Sequence, residues 1–230
     1  MKKMHVPMLD LKQEYAFMKT KIDAALKTCL DHQRWIFGPE VGYLEERVAR
    51  YLGIKHCIGV SSGTDALTLA LRALAIKTKG TEYFSSEDEI ITTPFTFTAT
   101  GDAIIRAGAT PVFVDIDIES YNINVEEVNA YISSQPSNVV GIVPVHLYGL
   151  SCGVDKIMRI ARSSDLFVVE DAAQAFGATE ANKHLGAIGT AGAFSFFPSK
   201  NLGAFGDGGM VATEDGDVAE IISMLLRHGG

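Results

Sequence analysis

Three short stretches of the sequence carry residue types able to do chemistry together. In Ser61-Ser62-Gly63-Thr64-Asp65-Ala66-Leu67, small residues stand where an apolar strand pattern gives way to a helical one. Backbone N–H groups at such a turn are unshielded and the helix dipole favours an anion, so the stretch reads as a phosphate cradle with Thr64 adding a hydroxyl. An ordinary N-cap by Ser62 or Thr64 accounts for the same residues. Neither G-x-G-x-x-G nor a Walker lysine is present, so any phosphate here belongs to something other than a dinucleotide or ATP. The second stretch, Leu166-Phe167-Val168-Val169-Glu170, runs into Asp171-Ala172-Ala173-Gln174. Successive strand residues face opposite sides, so Glu170 and Asp171 cannot both enter one cleft. A carboxylate just past a buried strand needs a cation or donors. Asp171 therefore reads as the partner of a ligand cation, with Gln174 bonding nearby, or as a helix N-cap. In the third, Ser195-Phe196-Phe197-Pro198-Ser199-Lys200, a lysine follows an apolar strand. Apolar surroundings lower a lysine's pKa and make its amine a nucleophile able to form a Schiff base. The plain alternative is an exposed loop lysine.

Singly each stretch is weak, but jointly they supply what pyridoxal 5'-phosphate requires: a phosphate cradle, an acid for a ring nitrogen and a nucleophilic lysine. Asp171 would keep the pyridine nitrogen protonated, and Lys200 would hold the cofactor and move the proton. Phe97, within Thr93-Pro94-Phe95-Thr96-Phe97-Thr98-Ala99, would either stack on the ring or pack in the core.

The elements that must position these residues follow from the apolar patterning. The first fifty residues read as helical, with Val41, Leu44, Val48 and Leu52 at helical spacing and Gly53 at the left-handed position after the helix. Strands are expected at His56–Val60, Glu89–Thr92, Pro111–Ile116, Val139–Val145 and Leu166–Glu170. Helices are expected near Thr64–Ile76, Thr98–Ala107, Val125–Ile132 and Val154–Ser163. This alternation predicts an α/β fold with a mainly parallel sheet. Ala193–Phe197 and Met210–Thr213 are joined by the Gly-rich loop 203–209, too short for a parallel crossover, so that pair is expected antiparallel. A last helix is expected near Asp217–Leu226. Ligands in open α/β sheets bind beyond the carboxyl ends of strands, which selects the segments after Val60, Thr92 and Glu170 and the Gly-rich loop.

The bulk composition is compatible with this. Apolar residues make up 47% of the 230 and charged residues 21%, as in a soluble globular protein. A net charge of −8 argues against nucleic acid or an anionic membrane as the main partner. Cys29, Cys57 and Cys152 form no C-x-x-C pair, so neither a disulfide framework nor a metal site is expected. Lys2 and Lys3 open the chain, but Asp10, Lys12 and Glu14 break any signal-peptide apolar region. No run approaches the roughly 20 apolar residues of a membrane helix. A cytoplasmic protein is expected. His146, in Pro144-Val145-His146-Leu147-Tyr148-Gly149, reads as a hydrogen-bonded structural histidine.

Taken in order, these motifs resemble the DegT/DnrJ/EryC1/StrS family of sugar aminotransferases, which have the fold type I architecture of aspartate aminotransferase. The resemblance runs from Pro7-Met8-Leu9-Asp10-Leu11 to Arg227-His228-Gly229. It includes Gly38-Pro39-Glu40-Val41 and Pro111-Val112-Phe113-Val114-Asp115-Ile116-Asp117 besides the three stretches above. It implies a fold type I large domain with a seven-stranded-type sheet and helices on both faces. Lys200 would be the Schiff-base lysine and Asp171 the partner of the ring nitrogen. Gln174 would contact the ring hydroxyl, Gly63, Thr64 and Ser195 would hold the phosphate, and Phe97 would cover the ring. The implied substrates are a nucleotide-linked keto-sugar and L-glutamate, and the implied assembly is a homodimer. The loop Asn201-Leu202-Gly203-Ala204-Phe205-Gly206-Asp207-Gly208-Gly209 looks like members acting at C3 of the sugar.

Three other readings compete. Related pyridoxal phosphate sugar dehydratases carry histidine where this chain has Lys200. Asp115-x-Asp117 resembles the metal-binding D-x-D of nucleotide-sugar glycosyltransferases, with both carboxylates on one strand face. The resemblance also implies a small C-terminal domain that supplies an asparagine across the dimer interface. On that ground residues 1–53 are expected as a helical segment packing on a cofactor-binding large domain, 54–230, with the small domain missing. The 230 residues alone would then be an inactive binding module or a poor catalyst.

Overall fold

A computed structural model describes residues 6–134 and 138–228, so Lys2, Lys3 and Gly229 of the sequence reading lie outside the described residues. The chain divides into two compact units, 1–43 and 44–230. The first is dominated by α1 (Leu11–His32), capped by Asp10, whose carboxylate accepts the N–H groups of Lys12 and Gln13. No residue of α1 is buried. A second helix, α2 (Pro39–Leu52), crosses the boundary between the units; its buried residues, Val48 and Leu52, belong to the second.

The second unit continues with β1 (His56–Val60), α3 (Gly63–Lys79), β2 (Glu89–Thr92), α4 (Ala99–Arg106) and β3 (Thr110–Phe113). Then come α5 (Val125–Ser134), β4 (Val139–Ile142), a 3-10 turn at Leu147–Gly149, α6 (Val154–Ser163) and β5 (Phe167–Asp171). A two-stranded hairpin, β6 (Thr179–Glu180) and β7 (Lys183–His184), precedes β8 (Ala191–Ser195), β9 (Gly209–Thr213) and α7 (Gly216–Leu226). Seven strands form one sheet in the order β1-β9-β8-β5-β4-β2-β3. The β3-β2-β4-β5-β8 run is parallel, and β9 lies antiparallel between β8 and β1, as the short Gly-rich loop requires.

Alternation along the strands sorts the core into two layers. Ile91, Ile142, Val168 and Met210 pack with α5 and α6 residues such as Val128 and Ile157. Ile90, Val143, Val169 and Val211 pack with α3, α4 and α7 residues such as Leu71, Ile104 and Ile222. Gly53 is left-handed, with φ 70°, as expected after α2.

Three expectations change. Strands β3 and β4 end at Phe113 and Ile142, earlier than the apolar runs suggest, because the chain turns into loops that cap the sheet. Asp115 and Asp117 therefore lie past the strand rather than on one strand face. Asp115 Oδ1 accepts the N–H of Ile116, and Asp117 Oδ1 accepts the N–H and hydroxyl of Ser120, so both serve local turns. The hairpin at 179–184 has no sequence signal of the usual kind, since its turn places Ala181 (φ 48°) and Asn182 (φ 64°) in the left-handed region. Among the described residues, no helix is long and apolar enough to cross a membrane.

Candidate active site

The carboxyl ends of β1, β8 and β5, with the start of the antiparallel β9 between β1 and β8, lie at one end of the sheet, and a cavity of about 460 Å³ opens there. All four segments selected from the sequence line it: Ser62–Thr64, Thr96–Ala99, Asp171–Gln174 and the stretch from Ser195 to Gly208. Gly63, Thr64, Phe97, Asp171, Gln174, Ser195 and Lys200 are brought together, across more than half the sequence. Neither Asp115 nor Asp117 reaches it.

Each wall has a local cause. Ser62 is the N-cap of α3, its hydroxyl accepting the N–H of Asp65 at 3.0 Å. The first helical bond is donated by Ala66 to the Ser62 carbonyl, so the amides of Gly63 and Thr64 precede the helical ladder. Gly63 permits the close approach of this helix end to β8: a Cβ there would stand 2.7 Å from the Cβ of Ser195. The capping reading of Ser62 and the anion-binding reading of Gly63 and Thr64 thus hold together.

Asp171 closes the other end. It is only 5% exposed, and no helix follows it, which removes the N-cap reading. Its Oδ2 accepts the Thr100 hydroxyl at 2.8 Å and its Oδ1 the Ala173 N–H at 3.1 Å. Burial pushes this carboxyl above the usual carboxylate range, against the pull of Thr100, Ala173 and the His146 and Lys200 side chains. A cation placed in the cavity would favour the ionised form of this carboxyl. Glu170 faces the opposite side of the strand, as alternation demands. It accepts bonds from His146, Gly186, Ile188 and Gly189. His146 is fully buried and hydrogen-bonded in that pair.

Gln174 is oriented from outside. The N–H of Tyr148, itself left-handed at φ 55°, donates to Gln174 Oε1 at 2.9 Å, which leaves the amide NH2 as the donor for a ligand oxygen. Phe97 is 69% exposed and lines the cavity, so it does not pack in the core. Lys200 is half-buried, its N–H bonded to the Phe197 carbonyl at 2.8 Å. Of its apolar neighbours, Phe197 faces the cavity whereas Phe196 packs in the core.

Two contributors escape the sequence reading. Thr100 is buried in the first turn of α4 and supplies the hydroxyl that holds Asp171. The run of threonines at 92, 93, 96, 98 and 100 after β2 was the available signal, but no spacing connects it to Asp171. Asp207, in the Gly-rich loop, also reaches the wall. In the first unit, Cys29, His32 and Glu40 bring possible ligand atoms within 4.8 Å of one another, a cluster the wide cysteine spacing did not suggest. There His32 Nε2 lies 2.8 Å from Glu40, and Nδ1 accepts the Arg34 N–H at 3.0 Å, so both ring nitrogens are engaged.

The residues suit pyridoxal phosphate: amides and a hydroxyl at a helix N-terminus, an under-partnered buried acid, an oriented amide donor and a lysine in one cavity. Known proteins are similar to this chain in sequence and in fold. The chain is 44% identical over 226 residues to a pleiotropic regulatory protein of Geobacillus stearothermophilus, covering 98% of this chain and 58% of that protein. It is 43% identical over 224 residues to UDP-N-acetyl-3-dehydro-alpha-D-glucosamine 3-aminotransferase of Acidithiobacillus ferrooxidans, again covering 97% and 58%. The structure of DesV from S. venezuelae in complex with a ketimine intermediate is similar at TM-score 0.90 and 39% identity, covering 98% of this chain and 58% of that one. NtdA from Bacillus subtilis, with bound cofactor PMP, is similar at TM-score 0.84 and 29% identity, covering 97% and 49%. The chain thus spans between about half and three fifths of the length of these relatives. Residues 17–230 match the profile of the family these motifs resemble, and the chain belongs to the DegT/DnrJ/EryC1/StrS aminotransferase family.

Proposed function

We propose that the chain carries the pyridoxal phosphate site of an aminotransferase acting on a nucleotide-linked keto-sugar at C3, with glutamate as amino donor. The observation that carries this is the convergence of Lys200, Asp171 and the α3 N-terminus on one cavity. The C3 assignment is supported by the loop 201–209 and by the named activity of the Acidithiobacillus relative.

In this reading Gly63, Thr64 and Ser195 bind the phosphate, where amides ahead of the helical ladder and the helix dipole favour an anion. Asp171, held by Thr100 and Ala173, pairs with the ring nitrogen, and the Gln174 amide donates to the ring hydroxyl. Phe97 covers the ring and excludes water. The bound cofactor supplies an electron sink for breaking a bond at the amino-bearing carbon. Lys200 would hold the cofactor through Nζ until the incoming amino group displaces it, and the freed amine would then carry a proton away from the amino-bearing carbon and deliver it to the adjoining position. The full activity, the homodimer and the asparagine from a small domain are part of the same proposal, since the relatives are longer.

Lys200 stands where the related dehydratases carry histidine, which favours transamination. The test is the visible absorption of the chain with pyridoxal phosphate, wild type beside Lys200→Ala. A lysine-dependent band is expected in the first and not in the second; a band unchanged by the substitution overturns the lysine assignment. Product analysis with a UDP-linked 3-keto-sugar separately tests the position of amination.

A further inference from the structure

The carboxylate next to Asp171 accepts four hydrogen bonds, all from the protein. Glu170 is fully buried, and both oxygens are taken. Oε2 accepts His146 Nε2 at 2.8 Å and the Gly186 N–H at 2.8 Å; Oε1 accepts the N–H groups of Ile188 at 2.7 Å and Gly189 at 2.6 Å. Four donors around one carboxylate hold both of its oxygens in place. Because Glu170 only accepts, His146 Nε2 carries the proton, and the other nitrogen accepts the Cys152 N–H at 3.3 Å. Gly186 reaches its donor position with φ 84°, where a Cβ would lie 2.2 Å from the Phe194 ring.

This cluster is tied to the cavity from behind. The His146 N–H donates to the Asp171 carbonyl at 3.0 Å, and the Asp171 N–H donates to the Pro144 carbonyl at 2.9 Å. Two residues on, Tyr148 presents its N–H to Gln174. The segment anchored by His146 therefore borders both residues assigned to the ring, while Glu170 pins the strand end on which Asp171 stands. A register slip here would turn the Asp171 side chain out of the cavity.

We propose that Glu170 and His146 are positioning residues, acting through Asp171 on recognition of the cofactor's ring nitrogen. The inference rests on the pyridoxal phosphate reading of the cavity.

The test compares two ligands that bind without a covalent bond: pyridoxamine 5'-phosphate and its analogue with CH in place of the ring nitrogen. Calorimetric Kd values are measured for the wild-type chain and for Glu170→Gln, which places an NH2 against two existing donors. Weakening of about tenfold or more for pyridoxamine phosphate, with the analogue changed less than about twofold, is the expected result. Equal weakening for both ligands marks a merely structural role and overturns the proposal, as does no weakening. Should Glu170→Gln not fold, His146→Leu must show the same ligand-selective loss and His146→Gln, which keeps a donor toward Glu170, must restore it; failure of either overturns the proposal. A wild-type chain that binds neither ligand overturns the cofactor reading and the proposal with it, an outcome distinct from equal Kd values across variants.

Discussion

Glu170 and Asp171 are neighbours of the same chemistry, both buried, and they lead opposite lives. Glu170 has four donors in the 2.6–2.8 Å range, all from the protein. Asp171 has a hydroxyl and one amide, and its remaining capacity faces a cavity. Buried charge costs free energy unless it is paired; the protein satisfies the first carboxylate itself, and in the proposed reading a ligand completes the second. The lesson is general: within one strand end, the side chain with a deficit of partners marks the site, and the one in surplus marks its support.

The contrast is sharpest when each carboxylate is removed. Glu170→Ala strands three amides and the His146 proton in the interior, and a loss of about 3–5 kcal/mol in urea unfolding is expected. Asp171→Asn should do the reverse to the empty protein. Because burial raises the Asp171 carboxyl, the folded state holds its proton more tightly than the unfolded chain does. Stability from this group is therefore present at low pH and lost as pH rises from the ordinary carboxylate value through the raised one. Removing the ionisation should stabilise the empty chain at neutral pH by about 1 kcal/mol, seen as a higher thermal midpoint. The same variant should bind pyridoxamine phosphate at least about tenfold more weakly. If Asp171→Asn destabilises as Glu170→Ala does, the contrast fails.

Smaller substitutions refine it. Thr100→Val keeps shape and deletes one of the two donors to Asp171, so a stability change of about 1 kcal/mol or less is expected, with a several-fold loss of ligand affinity. The smallest effect belongs to a carboxylate near water. Asp215 caps α7 and pairs with Lys77 at both side chains' partly exposed ends. Although burial opposes it, the Lys77 ammonium holds the Asp215 carboxyl below its usual range. That contribution is present at neutral pH and lost as pH falls through the lowered value. Asp215→Asn keeps the cap and removes the charge, so about 0.5 kcal/mol or less should disappear, and none in high salt.

Sequence patterning located the strands because buried parallel strands need Val and Ile runs, and β1, β2 and α6 fall at the expected residues, whereas the ends of β3, β4 and β8 come before the ends of their apolar runs. The antiparallel β9 was legible for a geometric reason, the length of its connection. Seven residues singled out in the sequence line one cavity, six of them noticed by type near strand ends and Ser195 through the family resemblance. Thr100 was not, because its partner lies 71 positions away and only folding makes them neighbours. The Glu170 cluster was half legible: alternation turned Glu170 away from the cavity, but nothing in the sequence announced amides from 186–189 converging on it. Phe97 shows the remaining limit, since an aromatic in a loop reads alike whether it is covered or covers something else.

The central claim is that the cavity beneath Phe97 binds pyridoxal phosphate through Lys200. Borohydride reduction of the chain incubated with the cofactor, followed by peptide mass mapping, addresses it directly. A stable phosphopyridoxyl group on the peptide containing Lys200, and on no other lysine at stoichiometric cofactor, is the predicted result. Label spread over surface lysines, or a Lys200 peptide left unmodified, would contradict the account.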